Sequence, residues 1–326
     1  MHVSALRALL AADRVTHVPG VYDPVTAALA VRAGHRAVHL GGSAVSATLL
    51  GRPVPDAQIA DRASTLAPAL DGVPLLADAE TGFAEPRQAV WTALAYSRAG
   101  VSGLQLNDRA STSGPHPRDR GSVSGTRLQD QPGVSGSRLQ DRDGRRRLGK
   151  LIGIGQATAT IAALAEQVPE MVVIARTCAF PELGLDETIV RCRAYAEAGA
   201  DAVLPEGVDT VEDWARLRAA LPGVPLVIDR SEAAPGKTVL PDADLALAGV
   251  RLVLHPVTAL LAAVRAVSLT YRAIADTGSA EPVDRMPWAA ITELTVQEET
   301  RDARPAPAPT STPAPGPVPD FGNLQT

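Results

Sequence analysis

Asp78 and Glu80 stand two residues apart at the end of the apolar run Val73-Pro74-Leu75-Leu76-Ala77, and Thr81-Gly82-Phe83 follow them. Side chains two apart in an extended strand share a face, so the two carboxylates converge on one small volume beyond the strand's last hydrogen bonds. Anions held that close repel unless a positive charge lies between them. A hard divalent cation such as Mg²⁺ takes carboxylate oxygens and keeps several waters. The spacing therefore points to a metal that carries an anionic substrate. The competing reading is a turn in which Asp78 caps the loop after it. Thr81 and Gly82 would offer such a ligand a hydroxyl and backbone N–H groups.

The elements that must position these groups follow a regular alternation. Short apolar runs bounded by Gly or Pro read as strands: Val15 to Tyr22, Ala37 to Gly42, Val73 to Glu80, Gly103 to Asp108, Met171 to Thr177, Ala202 to Glu206, Pro225 to Arg230 and Leu252 to Pro256. Helical spacing predicts helices over 4–12, 24–33, 56–70, 86–99, 156–167, 186–198, 209–220 and 258–275. Alternating β and α units in this number predict a parallel (β/α)₈ TIM barrel. A doubly wound open sheet is the rival, but no Gly-x-Gly-x-x-Gly or phosphate-loop pattern supports it. Nearly every strand also stops at a residue able to do chemistry: Tyr22-Asp23, Gly41-Gly42-Ser43, Asp78 with Glu80, Asn107-Asp108, Arg176, Glu206, Asp229 and His255. In this barrel the active site is assembled at those ends.

The formal net charge is −5 and no basic stripe lies outside one loop, so nucleic acid is not an expected partner. Only Cys178 and Cys192 occur; both read as buried small hydrophobes. His17, His39 and His255 read as barrel-lining histidines satisfied by hydrogen bonds. No signal pattern opens the chain and no apolar run looks long enough to cross a bilayer, which predicts a cytoplasmic protein without a membrane partner. The barrel is expected over 1–275 with a low-complexity insertion at 109–149. Within it Val123-Ser124-Gly125-Thr126-Arg127-Leu128-Gln129-Asp130 recurs as Val134-Ser135-Gly136-Ser137-Arg138-Leu139-Gln140-Asp141. That segment is either a lid over the barrel mouth or an inert insertion. Residues 276–301 are expected as a C-terminal helical extension, and 302–326, rich in Pro and Ala, as a disordered tail.

With these strand ends in view, the chain resembles the isocitrate lyase and phosphoenolpyruvate mutase superfamily, in its methylisocitrate lyase-like and phosphonomutase-like branch. The similarity runs from about Leu6 to Tyr271. It is carried by Pro19-Gly20-Val21-Tyr22-Asp23, His39-Leu40-Gly41-Gly42-Ser43, Asp78-Ala79-Glu80-Thr81-Gly82-Phe83, Asn107-Asp108, Ala175-Arg176-Thr177, Pro205-Glu206 and His255-Pro256-Val257-Thr258-Ala259-Leu260. The resemblance implies a barrel enzyme that binds Mg²⁺, with Mn²⁺ as an alternative, and cleaves a bond next to a carboxylate through an enolate-like intermediate. It also implies a homo-oligomer, tetramer or dimer, in which a C-terminal helix packs on a neighbour.

Carried over by residue, the resemblance makes Asp78 the direct metal ligand. Glu80, Asn107, Asp108 and Asp56 would complete the metal shell. Arg176 would bind the substrate carboxylate, joined by Tyr22, the backbone of Gly41, Gly42 and Ser43, and the side chains of Glu206, Asp229 and Ser231. The rival reading of Arg176 is a strand-end partner for Glu206. The superfamily's lyases carry a Lys-Arg-Cys-Gly-His segment whose Cys acts as acid or base, and here Ala110-Ser111-Thr112-Ser113-Gly114-Pro115-His116 takes its place. Ser113 and His116 are the catalytic candidates left in it. Asp229-Arg230-Ser231-Glu232 replaces an Asn-x-Thr-Glu pattern, a change expected to disfavour a tricarboxylate. Three functions follow. The first is a Mg²⁺-dependent carbon–carbon lyase on a small 2-oxo or 2-hydroxy carboxylate. The others are a phosphonomutase or oxaloacetate or phosphonopyruvate hydrolase, and a catalytically impaired carboxylate-binding barrel.

Overall fold

Valine, leucine and isoleucine runs too short for helices give eight strands, and all of them pair in parallel. The computed structural model describes residues 2–50, 56–79, 85–110, 150–230 and 239–294. In chain order the strands are β1 (Thr16–Pro19), β2 (Val38–Leu40), β3 (Leu75–Ala79), β4 (Gly103–Asn107), β5 (Val172–Thr177), β6 (Ala202–Pro205), β7 (Leu226–Asp229) and β8 (Val250–His255). The helices are α1 (His2–Ala11), α2 (Pro24–Arg32), α3 (Gly42–Thr48), α4 (Asp56–Leu66), α5 (Pro86–Arg98), α6 (Ile154–Gln167), α7 (Phe180–Glu197), α8 (Val211–Ala220), α9 (Asp242–Leu247) and α10 (Thr258–Thr277).

The order β1-β8-β7-β6-β5-β4-β3-β2 becomes a cylinder through one seam, where Gly20 bridges His39 and the Val21 N–H donates to the His39 carbonyl at 2.8 Å. Gly20 is required there. A Cβ on it would lie 2.1 Å from the Pro256 carbonyl oxygen, and backbone cannot step aside. The predicted TIM barrel is what the chain forms.

Strand alternation divides the apolar residues into two cores. Leu75, Ala77, Leu104, Leu106, Val173 and Ala175 face the helix layer and pack on α4 to α7. Leu76, Val172, Ile174, Leu204, Val227, Leu252 and Leu254 fill the cylinder with Leu6, Leu9 and Leu10 of α1. Helix α1 thus plugs the N-terminal end of the barrel. Gly103 keeps its place because a Cβ there would meet Leu6 Cδ2 at 2.7 Å. The interior is a dry floor, and polar groups are left to the other end.

Several predicted boundaries move. Helix α7 starts at Phe180 rather than 186, because Gly184 at φ 78° joins a first turn to the main helix. Helices α3 and α9, seven and six residues long, were not predicted. The expectation that no run could cross a bilayer is corrected as well: α10 is long and apolar enough by length and composition. Leu260 is its one buried residue among those described, and Leu261, Val264, Val267, Tyr271 and Ile274 lie exposed along one stripe. Residues 2–285 belong to the barrel unit, and a second unit begins at Met286. Residues 288–294 are helical, within the predicted extension. The repeated part of the insertion, residues 123–141, and the tail lie outside the described residues.

The plug gives a direct check on the floor. Leu6→Ala removes a fully buried side chain and should cost about 2–5 kcal/mol of unfolding free energy, read from urea denaturation.

Candidate active site

Polar side chains ring the C-terminal end of the cylinder above the apolar floor. His39 of β2, Asp78 of β3, Gln105 and Asn107 of β4, Arg176 of β5 and Asp229 of β7 all lie on the inward alternation of their strands, and Glu206 follows β6 directly. The apolar run Leu75-Leu76-Ala77 buries β3 on both faces and carries Asp78 to the ring with little exposure.

Asp78 is clamped from three sides. Its Oδ1 accepts from His39 Nε2 at 3.0 Å and Gln105 Nε2 at 3.1 Å, and its Oδ2 accepts the Gly42 N–H at 2.8 Å. Tyr96 of α5 donates to the Asp78 carbonyl at 2.7 Å. Burial alone would raise the Asp78 carboxyl, but His39, the Arg176 charge and the Gly42 amide outweigh it and hold the group below the usual carboxylate range. His39 Nδ1 is buried without a partner.

Arg176 donates through Nε to Glu206 Oε2 at 2.6 Å, and its Nη2 pairs with the same oxygen. Its charge is reinforced, against burial, by Glu206, Cys178, Asp229 and Asp78. Cys178 lies just past β5, and its thiol sits 3.1 Å from Glu206 Oε2 and 3.2 Å from Asn107 Oδ1. Burial and the neighbouring Glu206 push that thiol up to about 12. It stays protonated at neutral pH and serves as a donor. Asp229 has an Oδ1 sealed from solvent with no hydrogen-bond partner. Burial raises its carboxyl, with Arg176 and His39 pulling the other way.

The remaining predicted residues separate into those near the ring and those away from it. Gly42 opens α3 and gives its N–H to Asp78, Gly41 is buried, and Ser43 is exposed. Tyr22 packs beside Ala44, Val257 and Leu260, and its carbonyl accepts from Arg62 at 3.0 Å. Asp56 sits in the first turn of α4, with Thr92 Oγ1 of α5 at 3.4 Å from its Oδ2.

Asp108, expected behind the metal, is turned outward instead. Its Oδ2 accepts from Arg191 Nη1 at 3.1 Å and the Tyr195 hydroxyl at 2.9 Å, and its Oδ1 accepts the Cys178 N–H at 2.9 Å. It follows Asn107 by one residue, so alternation sends it to the helix layer. Glu80, Ser113, His116 and Ser231 lie outside the described residues. His17 and His255 face each other at 3.0 Å, with Asp242 on the far nitrogen of His17, in a chain separate from the ring.

Gln105, Arg191 and Tyr96 escaped the sequence reading. Gln105 had a signal, since it stands two before Asn107 and shares its face. Among the described residues no group of three or more His, Cys, Asp or Glu is arranged to hold a metal ion.

The family model described as phosphoenolpyruvate phosphomutase matches residues 6–130 and 125–275. The 2-methylisocitrate lyase of Bacillus subtilis (strain 168) is 32% identical over 280 residues, spanning 84% of this chain and 81% of that protein. Oxaloacetate acetylhydrolase in complex with the product oxalate superposes with a TM-score of 0.74 at 25% identity, over 93% of this chain and 96% of that one. A phosphonopyruvate hydrolase complex with oxalate and Mg²⁺ gives 0.73 at 27% identity, over 93% and 99%.

The outward placement of Asp108 is open to test. Asp108→Asn removes one of the two carboxylates on Arg191 and leaves Glu187, and it should lower the unfolding free energy by about 1–3 kcal/mol in urea titrations.

Proposed function

The chain belongs to the phosphoenolpyruvate phosphomutase family, and on that premise we propose that it is a lyase breaking a carbon–carbon bond in a small 2-oxo or 2-hydroxy carboxylate. The observation that carries this reading is the meeting of Asp78 and Arg176 in one ring, close enough that the Arg176 charge lowers the Asp78 carboxyl. An anion-binding cation and a cation-binding anion then face the same small volume.

Arg176 has the chemistry to bind the substrate carboxylate. Its guanidinium carries five N–H donors in a planar fork. Glu206 engages Nε and Nη2, so the second Nη is left to meet a substrate. Glu206 holds the fork in plane and keeps it from rotating away.

Mg²⁺ or Mn²⁺ fits the donor set at Asp78. A carboxylate offers about four lone-pair sites, and three hydrogen bonds occupy Asp78. Asp78 would hold the cation, with the Asn107 amide oxygen and Glu80 behind it. Asp108 is left out of the set because Arg191 and Tyr195 engage it. When bound, the cation supplies Lewis-acid stabilisation to negative charge on the substrate oxygen. His39, Gln105 and the Gly42 N–H orient Asp78, and the apolar plug below keeps water from rising through the barrel.

A second reading, a hydrolase or mutase on oxaloacetate or phosphonopyruvate, draws support from the likeness to oxaloacetate acetylhydrolase and phosphonopyruvate hydrolase and from the replaced Lys-Arg-Cys-Gly-His segment. Phosphorus NMR on phosphonopyruvate with Mg²⁺ separates it from the first. Oxalate calorimetry with no metal-dependent binding would leave a barrel without catalysis. The reading also includes a cytoplasmic homo-oligomer, a dimer or tetramer, built on the uncovered apolar stripe of α10. A stripe of that kind marks an interaction surface.

Two measurements follow. Pyruvate release from 2-methylisocitrate, 2,3-dimethylmalate and oxaloacetate with Mg²⁺ should fall at least about 100-fold in kcat/KM in Asp78→Ala and in Arg176→Lys. Unchanged activity overturns the roles given to them. Val264→Glu with Tyr271→Glu should convert the oligomer to monomers in sedimentation velocity.

A further inference from the structure

The substrate contact that the resemblance implies for Asp229 supplies no chemistry, and its surroundings are unusual for a carboxylate without a task. It closes β7 in the ring, and its Oδ1 has neither solvent nor a hydrogen-bond partner. Four charged or titratable groups face it: Arg176 and His39, which favour its anion, and Glu206 and Asp78, which oppose it. The one guanidinium among them is turned to Glu206. A buried acceptor left unpaired in a native fold calls for an explanation, and a ligand that donates a hydrogen bond would supply one.

Cleavage of a 2-hydroxy acid needs such a contact. The hydroxyl proton has to leave as the carbon–carbon bond opens, and a base within hydrogen-bond reach must take it. The other carboxylates of the ring are poorly placed for the task. Asp78 already accepts three hydrogen bonds, its remaining site is the one given to the cation, and it is held weakly basic. Glu206 is tied to Arg176 and shares the Cys178 thiol. Among the described ring carboxylates, Asp229 has a fully buried oxygen with no hydrogen-bond partner.

We propose that Asp229 is the general base of the reaction, taking the substrate hydroxyl proton on Oδ1 and returning it to the carbon that leaves as an enolate. This rests on the lyase reading given above. As the O–H bond breaks, its proton moves to Oδ1 and its electron pair forms the new carbonyl. The electrons of the broken carbon–carbon bond pass to the carbon next to the carboxylate, giving the enolate. That carbon then takes the proton from Oδ1, a C–H bond forms, and the Asp229 carboxylate is restored. One proton has moved from oxygen to carbon, and no oxidant or further reactant is consumed. The substrate class narrows with it: the position facing Asp229 takes a hydroxyl, not a carboxylate.

The position of the base on the pH axis follows from its burial. Asp229 is raised above the usual carboxylate range, and a base works only when ionised. The rate constant kcat/KM should therefore fall as pH drops through that raised value and be level above it.

The test uses the full chain with Mg²⁺ on 2,3-dimethylmalate and 2-methylisocitrate, with oxalate calorimetry alongside. Asp229→Asn should lower kcat about 100-fold or more and abolish the acid limb of the pH profile, while oxalate Kd stays within about threefold. Asp229→Glu should recover part of kcat with the limb displaced, and it decides the case if the Asn variant does not fold. The proposal is overturned if Asp229→Asn keeps its kcat or its acid limb, or if it loses oxalate binding along with turnover. A wild-type protein that binds oxalate yet turns over neither hydroxy acid overturns the lyase reading itself. Turnover by wild type that survives Asp229→Asn sinks the base alone.

Discussion

One guanidinium shared among three carboxylates sets the terms for the rest of the molecule. Arg176 feels Asp78, Glu206 and Asp229 together, and all of them stand over a floor of leucine, valine and isoleucine. Away from water each such interaction is several times stronger than at the surface, so the ring is short of positive charge. The deficit explains its hydrogen bonding. Asp78 draws two side-chain donors and a backbone amide, and Glu206 draws a thiol as well as the arginine. It also explains why a divalent cation and an acidic substrate suit the site as a pair better than either does alone.

Alternation along the strands decides which acids join that ring. Asn107 and Asp108 are consecutive, and the first faces the cylinder while the second faces the helices, where Arg191 and Tyr195 of α7 meet it. One dipeptide therefore serves the chemistry and the packing of the layers. The dry floor depends on the same rule: Leu76 lies two before Asp78, and Ile174 two before Arg176, so each reactive group stands on an apolar residue of its own strand.

Much of this was legible from the residues alone. The eight strands could be read because each apolar run is short, bounded by Gly or Pro and ended by a polar group. What could not be read has physical reasons. Helices α3 and α9 are too short to show a helical period, and the first turn of α7 is joined through a positive-φ glycine at 184 that breaks the pattern. The contacts that sort the acids join residues far apart in sequence, 39 positions between His39 and Asp78 and 83 between Asp108 and Arg191. No local spacing announces them. Helix α10 is legible as a helix over 258–275, and its length and composition suffice for a span against the expectation that no apolar run would; what spacing does not show is that its apolar stripe stays exposed.

The seam of the cylinder ties architecture to chemistry through a single histidine. The His39 carbonyl receives the Val21 amide that completes the barrel, and the His39 ring grips Asp78. Gly20 lies against the Pro256 backbone at the same joint, with no room for even a methyl group. Loosening that joint would turn the imidazole away from its aspartate before the remaining strands had parted. Damage there would first be felt as an enzyme that stays folded and has lost its grip on its acid, a fault that assays of folding alone would pass over.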